Sequence, residues 1–346
     1  MKIDLVWFDS LGAKSSCVFV ETEDIKIIID PGIAAMQPSF PAPDHKKILW
    51  REQGRRKIKS FLRKADAVII SHYHYDHFLP KDVNLYRGKT LFVKNPNEYI
   101  NESQRKRSVD FFSKISKDIA SVELEMEKTL TRKFRDCMDD LKISKEKDFG
   151  DYKDRRRELL NEGKRWFKKL SERWNSWGYI KEMEYDEIKT VYPEGKEFKF
   201  GNTRIKFSRP LFHGVEYSRV GWVFYTVIED ANTKILHSSD LNGPIIEDYA
   251  EMIIKEDPDI IILDGPMTYM FGYLLNRTNL NRAITNAKRI VEELDFELII
   301  YDHHLPREPR FRERTKEVWS TAKRLEKRVL TAAEYLNHLP KVLDLS

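Results

Sequence analysis

The sequence has little cysteine and no long apolar run. Cys17 and Cys137 are its only cysteines among 346 residues, and no CxxC pair is present. Two cysteines cannot form a disulfide framework, and without CxxC a structural zinc site of that type has no support. The mean hydropathy is −0.58, and no segment approaches the roughly 20 apolar residues that span a bilayer. These absences argue against a disulfide-rich domain and against an integral membrane protein.

Motifs of several enzyme classes are also absent. The sequence contains no GxxxxGKS/T, no GxGxxG and no GxSxG, so kinase, NTPase, dinucleotide-binding and serine-hydrolase functions have no support. The first residues lack the basic region and the apolar region of a signal peptide. We therefore expect a cytoplasmic protein with no membrane partner.

Charge is distributed unevenly along the chain. Residues 101–180 hold 21 Lys and Arg against 16 Asp and Glu, whereas the rest holds 40 of each, so the net charge of +5 lies in this one segment. A dense mixture of both signs is typical of a solvated helix face. A nucleic-acid interface usually has a clearer excess of positive charge, so nucleic acid is an alternative partner that the charge does not favour.

Short apolar runs bounded by turn residues predict strands in both halves of the chain. The predicted strands cover 3–8, 16–21, 25–30, 67–71, 197–200, 203–208, 221–228, 234–238, 260–263 and 298–301. Apolar residues at three- and four-residue steps predict helices over 48–64, 246–255, 281–294, 312–328 and 332–338. Strand-rich halves flanked by helices predict a layered α/β or α+β fold.

The segment from about 98 to 180 has a different character. It contains no proline, and apolar residues recur at helical steps from Phe112 to Leu141 and again from Leu160 to Trp177. This spacing predicts one long amphipathic helix, a break at 149–151 and a second helix. We expect the two to pair as an antiparallel helical hairpin that projects from the body, either as a lid or as the interface of a homo-oligomer.

The residues that predict chemistry most directly are 71–77, with the sequence Ser-His-Tyr-His-Tyr-Asp-His. They follow a predicted buried strand. A turn at this point directs His72 and His74 to one side and Asp76 and His77 to the other. Imidazole and carboxylate groups are typical ligands of zinc and similar divalent ions, and so dense a group of them is rarely structural.

This HxHxDH stretch resembles the signature of the metallo-β-lactamase superfamily. Later residues resemble further positions of that superfamily in the same order: an early supporting aspartate, a third histidine, a bridging aspartate and a last histidine, at Asp30, His213, Asp240 and His303. Blocks similar to a largely archaeal branch of the superfamily occur at 30–32, 72–77, 239–244, 264–266, 302–305 and 331–335. Phe78 departs from that branch, which usually has a further histidine there, but it is not a superfamily ligand position. The resemblance implies an αββα sandwich and a metal site, and no particular substrate.

The resemblance also implies how the chain is divided. Residues 1–97 and 186–346 are expected to form the two halves of one metallo-β-lactamase-like domain. Residues 98–185 are expected to be the helical hairpin, an insertion that the resemblance does not explain.

Two divalent ions are implied by the resemblance. The implied ligands are His72, His74 and His213 for the first ion, Asp76, His77 and His303 for the second, and Asp240 for both. Zinc is the expected metal, with manganese and iron as alternatives, and His304 competes with His303 for the last position. Two such ions hold a hydroxide between them at neutral pH and take up charge on the substrate oxygen, with Asp76 and Asp240 as the expected catalytic carboxylates.

The sequence therefore predicts a metal-dependent hydrolase whose substrate is a phosphodiester or another small anionic molecule. The alternatives are an acyl hydrolase acting on lactones or thioesters at the same site, a non-enzymatic protein that binds partners through the hairpin, and a redox protein with iron. Only 62 residues separate Asp240 from His303, too few for the large domain that RNA-processing nucleases of the superfamily have there. Lys14, Arg307 and Arg310 are expected to form a cationic rim.

Other polar residues near these motifs are weaker candidates for a role in the metal site. His237 precedes Asp240 by three residues and is expected to pack or to support the site. Asp264 either orients a ligand imidazole, as metal-bound histidines usually require, or ends a turn. His45 and His338 are expected at the surface.

Overall fold

A computed structural model describes residues 1–128 and 130–344. Within these ranges the chain forms sixteen strands and nine helices. The strands are β1 (Lys2–Phe8), β2 (Ser16–Glu21), β3 (Lys26–Ile29), β4 (Ala67–Ile70), β5 (Lys89–Val93), β6 (Glu184–Tyr185), β7 (Ile188–Val191), β8 (Glu197–Phe200), β9 (Thr203–Phe207), β10 (Leu211–Phe212), β11 (Trp222–Val223), β12 (Thr226–Glu229), β13 (Lys234–His237), β14 (Ile260–Asp264), β15 (Leu298–Asp302) and β16 (Val329–Leu330).

The helices differ widely in length. They are α1 (Asp44–Leu62), α2 (Glu102–Asp118), α3 (Lys142–Glu146), α4 (Lys153–Ser176), α5 (Glu247–Glu256), α6 (Arg277–Glu293), α7 (Phe311–Arg314), α8 (Lys316–Arg324) and α9 (Ala332–Tyr335). In the part of the chain that the structure describes, none of them is both long and apolar enough to cross a membrane.

The strands form two large sheets and one small ribbon. The first sheet has the order β1-β2-β3-β4-β5-β7-β6, the second has the order β16-β15-β14-β13-β12-β9-β8, and β10 pairs with β11. The centre of each sheet is parallel: β3, β4, β5 and β7 in the first, and β13 to β16 in the second. Parallel strands end at the same edge of a sheet, so the loops that follow them lie side by side.

Side chains of the central strands alternate between two apolar layers. Ala67 and Ile69 of β4 lie in a layer that also contains Ile262 of the second sheet. Val68 and Ile70, the intervening residues, lie in a layer shared with the helices. This period of two is that of a pleated strand, and burial on both faces explains the continuous apolar runs of the sequence. The layers are therefore helix, sheet, sheet and helix, which confirms the predicted αββα sandwich.

Each predicted strand coincides with an observed one, although their ends differ by a few residues. The predicted strand 221–228 is divided, because β11 pairs in the ribbon and β12 pairs in the second sheet. Three strands of the first sheet, β5, β6 and β7, were not predicted, and neither were the two-residue strands β10 and β16. β5 and β7 have only a short apolar run beside an exposed or half-exposed lysine, so they give a weak pattern.

The predicted helix over 112–141 is wrong in its length. Helix α2 ends at Asp118, and Ser121 has a left-handed backbone with φ of 57°. The backbone N–H of Val122 donates to the carbonyl oxygen of Ser116 at 3.0 Å, which closes the last turn as left-handed caps commonly do. The chain then leaves the helical path, and Leu130 of the predicted apolar stripe is 91% exposed.

The described part of the insertion packs on the body instead of projecting as a hairpin. In α2 the ring of Phe111 lies 5.2 Å from that of Phe78 and 5.3 Å from that of Tyr86, between centroids. In α4 the ring of Trp174 lies 5.5 Å from that of Trp222 in β11. The apolar stripes therefore do serve packing, but their main partner is the body and not the other helix. The boundaries at 98 and 185 stay a prediction.

Candidate metal centre

Four segments that follow strands meet at one edge of the two sheets. They are 71–77 after β4, His213 after β10, Asp240 after β13 and 302–304 around the end of β15. Their side chains form three overlapping groups in which ligand atoms lie within 4.8 Å of one another. The groups are His72, His74, His213 and Asp240; Asp76, His77 and His303; and Asp240, His303 and His304. All the residues that the sequence suggested as ligands are thus brought together.

Asp30 holds the histidine segment in place. Its buried carboxylate accepts hydrogen bonds from the backbone N–H of Ser71 at 2.8 Å and from the Ser71 hydroxyl at 2.7 Å. It also lies 2.9 Å from Nδ1 of His77, which directs Nε2 of that ring toward the centre. Gly32 permits this close approach, because a Cβ there would lie 2.1 Å from the backbone nitrogen of Phe78.

The carboxylate of Asp240 lies among five imidazole rings. Its Oδ2 is 3.4 Å from Nε2 of His72, 3.3 Å from that of His77, 3.1 Å from that of His213 and 3.6 Å from that of His304, and its Oδ1 is 3.5 Å from Nε2 of His303. Asp240 therefore lies between the residues of the first half of the chain and those of the second.

Four atoms that face this centre have no hydrogen-bond partner among the described residues. They are Nε2 of His77, Nε2 of His213, Nε2 of His303 and Oδ1 of Asp240. Buried polar atoms are normally paired, so their arrangement fits a cation between them. Imidazole nitrogen with carboxylate oxygen is the donor set that zinc and similar ions take. The residues present thus fit the metal ions that the resemblance implies.

Proteins of similar sequence match nearly the whole chain. A family model described as the metallo-beta-lactamase superfamily matches residues 12–79. The UPF0282 protein of Korarchaeum cryptofilum is 30% identical over 338 residues, which cover 97% of this chain and 89% of that protein. The chain belongs to the UPF0282 family. The UPF0282 protein of Methanocaldococcus jannaschii is 31% identical over 326 residues, which cover 91% of this chain and 87% of that protein.

A solved structure with a similar fold is the metallo-beta-lactamase fold protein YhfI from Bacillus subtilis. It is 14% identical, with a TM-score of 0.44, and the match covers 92% of this chain and 88% of that one. The superfamily match and the sandwich together confirm the prediction that this UPF0282 chain is a metallo-hydrolase-fold enzyme.

One supporting residue of the UPF0282 chain, Asp9, escaped prediction. Its Oδ1 lies 3.1 Å from Nδ1 of His303, and its Oδ2 accepts a hydrogen bond from the backbone N–H of His304 at 2.8 Å and another from Nε of Arg307. Asp9 directly follows β1 as Asp30 directly follows β3. That shared position, an acidic residue at the end of a buried strand, is the signal that could have identified it.

The expected cationic rim is only partly present. Arg307 is 3% exposed, pairs with Asp9 and has its Nη2 3.7 Å from Oδ2 of Asp76. It is therefore a buried cation beside the second ligand group, and its expected place at the rim is wrong. Arg310 is exposed. Lys14 lies near these charges, and burial together with the positive charge of Arg307 lowers the pKa of its ammonium group.

Asp264 supports the turn that presents Asp240. Its carboxylate accepts hydrogen bonds from the backbone N–H of Leu241 at 3.1 Å and of Asn242 at 2.6 Å. Its Oδ2 also lies 3.5 Å from Nδ1 of His304. The turn position and the imidazole neighbour, which the sequence offered as alternatives, therefore occur together.

The remaining histidines lie outside the ligand groups. Nε2 of His237 lies 2.9 Å from the carbonyl oxygen of Ser16, and its Nδ1 accepts a hydrogen bond from the backbone N–H of Ser239 at 3.2 Å. His237 thus packs beneath the centre, as expected. His45 and His338 are exposed, also as expected.

Neighbouring charges act on the residues of the centre in both directions. Burial opposes protonation of His77 and His303, but nearby carboxylates raise the pKa of both rings, for His303 to about 10, so a metal ion must displace a proton from each of them. Burial opposes the ionisation of Asp76, but the neighbouring His77 and His303 hold the pKa of Asp76 well below its usual value. Burial and the charge of His303 lower the pKa of His304 well below its usual value. Asp76 is therefore a carboxylate and His304 a neutral ring near neutral pH, and both are forms that coordinate metal ions.

Proposed function

We propose that the protein is a metal-dependent hydrolase with a dinuclear centre, and that it cleaves a phosphodiester or another small anionic ester. The observation that supports this most is the position of Asp240, whose two carboxylate oxygens face histidines from both halves of the chain. A carboxylate in this position would serve both ions, because its oxygens have lone pairs available to each group of ligands. Zinc suits this set of nitrogen and oxygen donors.

Seven side chains hold the two ions in this proposal. They are His72, His74 and His213 for the first ion, Asp76, His77 and His303 for the second, and Asp240 for both. When bound, two divalent ions activate water near neutral pH and offset negative charge on the reacting oxygens. His303 is preferred to His304 because Asp9 and the carbonyl oxygen of Ser15 each lie 3.1 Å from its Nδ1, which leaves Nε2 facing the second group.

The chain orients these side chains through hydrogen bonds that do not depend on substrate. Asp30 orients His77, and Asp9 orients His303. Such outer hydrogen bonds fix which ring nitrogen faces the ion and raise its basicity. The geometry for binding is therefore organised in advance, and little reorganisation is needed when the reaction begins.

Cationic groups near the centre support an anionic substrate. The charges of Arg307 and Asp76 both act on Lys14, so its ammonium group lies within electrostatic range of the second ligand group. A cationic site lined by low-dielectric walls attracts anions and raises their local concentration.

The test combines metal analysis with an activity screen. Purified protein is reconstituted with zinc, manganese or iron, dialysed and assayed for metal per chain. The same samples are tested on bis-p-nitrophenyl phosphate, on a lactone panel and on a thioester panel. We expect about two ions per chain and hydrolysis of the phosphodiester.

Each alternative predicts a different result in this screen. Lactone or thioester turnover without diesterase activity would favour the acyl hydrolase. A di-iron spectrum without hydrolysis would favour the redox protein. A metal content near zero after reconstitution would overturn the proposed centre and favour a non-enzymatic role.

A further inference from the structure

We propose that an apolar cavity beside His213 binds one ester substituent of the substrate, so that the substrate is a phosphodiester with an apolar alkyl or aryl group. The inference rests on the hydrolase function proposed above and adds to it a class of substrate. The cavity lies between α4, the loop after β10 and the loop between β14 and α6. Its volume is about 500 Å³, which is within the range of roughly 300–1,000 Å³ found for small-molecule sites.

The lining of the cavity is largely apolar, and all three elements contribute to it. The apolar residues include Leu159, Leu160, Val215, Val220, Met267 and Leu274. Leu159, Val220 and Leu274 are also exposed to solvent, so apolar surface continues from the cavity to its rim. Exposed apolar surface that continues into a cleft often marks a ligand-binding groove.

One face of α4 forms a wall of this cavity. Arg156, Leu159, Leu160 and Gly163 line it at three- and four-residue steps, which place them on one side of a helix. Gly163 lets the helix lie close to the loop after β10, because a Cβ there would lie 2.4 Å from Cβ of Tyr217. The insertion therefore shapes the space next to a candidate metal ligand.

The buried charges that line the cavity are already paired with one another. Glu216 accepts hydrogen bonds from Arg156 at 2.8 Å and from Arg282 at 2.7 Å. Arg282 also donates to Glu247 at 2.7 Å. Most of this buried charge is therefore satisfied. Nε of Arg156 and Oδ1 of Asn242 have no hydrogen-bond partner among the described residues, but apolar side chains form most of the remaining wall.

The cavity adjoins the candidate metal centre at His213. His213 and Asn242 both line it, and the Asn242 side-chain nitrogen lies 3.3 Å from Nδ1 of His213. Nε2 of the same imidazole is 3.1 Å from Asp240. In this proposal, an ester at the centre directs one substituent past His213 into the cavity.

The test uses the full-length, metal-loaded protein and alkyl p-nitrophenyl phosphates whose alkyl group grows from methyl to hexyl. Burial of one methylene favours binding about three- to fourfold, so kcat/KM should rise by that factor per carbon until the cavity is filled. Affinities of the matching alkylphosphonates, measured by calorimetry, should rise in the same steps. Binding is thus measured without any need for turnover.

A double variant and a control variant distinguish an effect of the cavity on substrate preference from a general effect of surface polarity. Leu159→Asn combined with Leu274→Asn makes the rim polar without adding charge. The control is Leu339→Asn, because Leu339 is 64% exposed, Leu274 is 66% exposed, and Leu339 lies away from the lining residues. The hexyl-to-methyl ratio of kcat/KM should fall about tenfold or more in the double variant, whereas the control should keep the wild-type ratio.

The outcomes distinguish failure of the cavity proposal from failure of the proposed hydrolase function. Phosphodiester hydrolysis with no dependence on chain length, in kinetics and in calorimetry, would overturn the cavity proposal and leave the function intact. Affinity that rises with chain length, without hydrolysis, would overturn the function and keep the cavity. An equal fall of the ratio in the control variant would also overturn the proposal.

Discussion

Asp240 is the residue on which the candidate centre depends most, because its carboxylate faces five imidazole rings. Loss of any one histidine leaves the other donors of its group in place. Loss of Asp240 removes the one donor shared by both ions in the proposed centre and leaves positive charge without a counter-charge. Substitution of Asp240 should therefore weaken metal binding more than substitution of any single histidine.

We expect Asp240→Ala to lose at least one ion per chain and to lower kcat/KM more than any single histidine-to-alanine change. The loss should exceed the roughly 10- to 100-fold that removal of a supporting partner usually causes. Metal content after dialysis and kcat/KM with the diester measure both effects. Asp44→Ala, at an exposed carboxylate, is the control and should change neither. Full activity with both ions in Asp240→Ala would contradict the bridging role.

Substitution of Asp9 should affect stability and metal affinity differently from substitution of Asp240, because Asp9 supports ligands without being a ligand itself. In Asp9→Asn the carboxylate charge disappears, and Arg307 is left as a buried cation without its partner. Breaking a buried pair from one side lowers the free energy of unfolding by about 3–5 kcal/mol, and affinity for the second ion should fall about 10- to 100-fold. Urea unfolding of metal-free protein and titration against a chelating indicator measure the two effects.

The control for Asp9 is Asp4→Asn, at a partly exposed carboxylate paired with Lys2, which should change stability by less than about 1 kcal/mol. Equal weakening of both metal sites in Asp9→Asn would contradict a role confined to the second group.

The spacing of 71–77 and the resemblance at later positions suggested residues that the structure brings together. Their roles as ligands stay a prediction. Asp9 was missed because its one local signal, an acidic residue directly after a buried strand, does not reveal the contact with His303, 294 positions away. Arg307 was misplaced for the same reason. Its charge suggested a surface position, and only the fold shows that Asp9 compensates it.

At the scale of elements, the periodicity of the insertion predicted its helices but not their limits. Apolar residues continue at helical spacing past Asp118, yet the helix ends there, and the backbone of Ser121 is left-handed. Single residues in that conformation are uncommon outside glycine, so a serine gives no clear stop signal. The partner of the apolar stripe was also undetermined, because periodicity identifies a buried face and not what covers it.

Packing of α2 on the body can be tested at Phe111. This side chain is fully buried against Phe78 and Tyr86, so Phe111→Ala should lower the free energy of unfolding by about 3–5 kcal/mol. Leu130→Ala, at a residue 91% exposed, should change it by less than about 0.5 kcal/mol. Urea unfolding of both variants is the measurement. Equally small effects would mean that α2 does not pack on the body.

The charge cluster beneath α4 predicts a pH-dependent stability. Burial opposes ionisation of Glu216, but Arg282 and Arg156 lower the pKa of Glu216 to about 2 from its ordinary value of 4.5. A carboxyl group whose pKa is lowered in the folded protein stabilises the fold fully at pH values above its ordinary pKa. This stabilisation is lost as the pH falls from about 4.5 toward 2. The shift corresponds to about 3 kcal/mol.

Glu216→Gln should therefore lower the free energy of unfolding by about 3 kcal/mol at pH 7, and the difference from wild type should shrink below about pH 5. Urea unfolding across this range measures it. Glu313→Gln, at an exposed residue paired with Arg310, is the control and should change stability by less than about 1 kcal/mol at every pH. A difference for Glu216→Gln that does not vary with pH would contradict the proposed origin in its charge.

At the scale of the whole molecule, the excess positive charge lies in the segment that contributes α4. Residues 101–180 hold the entire net charge of +5, and α4 alone has nine Lys and Arg against four Asp and Glu. One face of α4 lines the cavity beside His213. A mixed-charge helix that resembles an ordinary solvated face therefore forms one wall of the cavity beside a candidate ligand, a position that depends on the fold.

This arrangement predicts that salt slows the reaction with an anionic substrate. Raising ionic strength from about 0.1 M to about 1 M shortens the Debye length from roughly 10 Å to roughly 3 Å, so attraction from α4 and Lys14 is screened. We expect kcat/KM for bis-p-nitrophenyl phosphate to fall at least about threefold over this range. Metal content is measured at both ends of the range, because a loss of ions would mimic the effect.

A neutral lactone is the matched substrate control, since screening leaves its approach unchanged and its kcat/KM should stay constant within error. Lys14→Gln should reduce the salt dependence for the diester, because it removes a cation within electrostatic range of Asp76. Efficient turnover of the lactone, insensitive to salt and to Lys14→Gln and without any diesterase activity, would reverse the preference for an anionic substrate. The same centre would then be that of an acyl hydrolase, in which the positive charge of α4 only keeps the helix solvated.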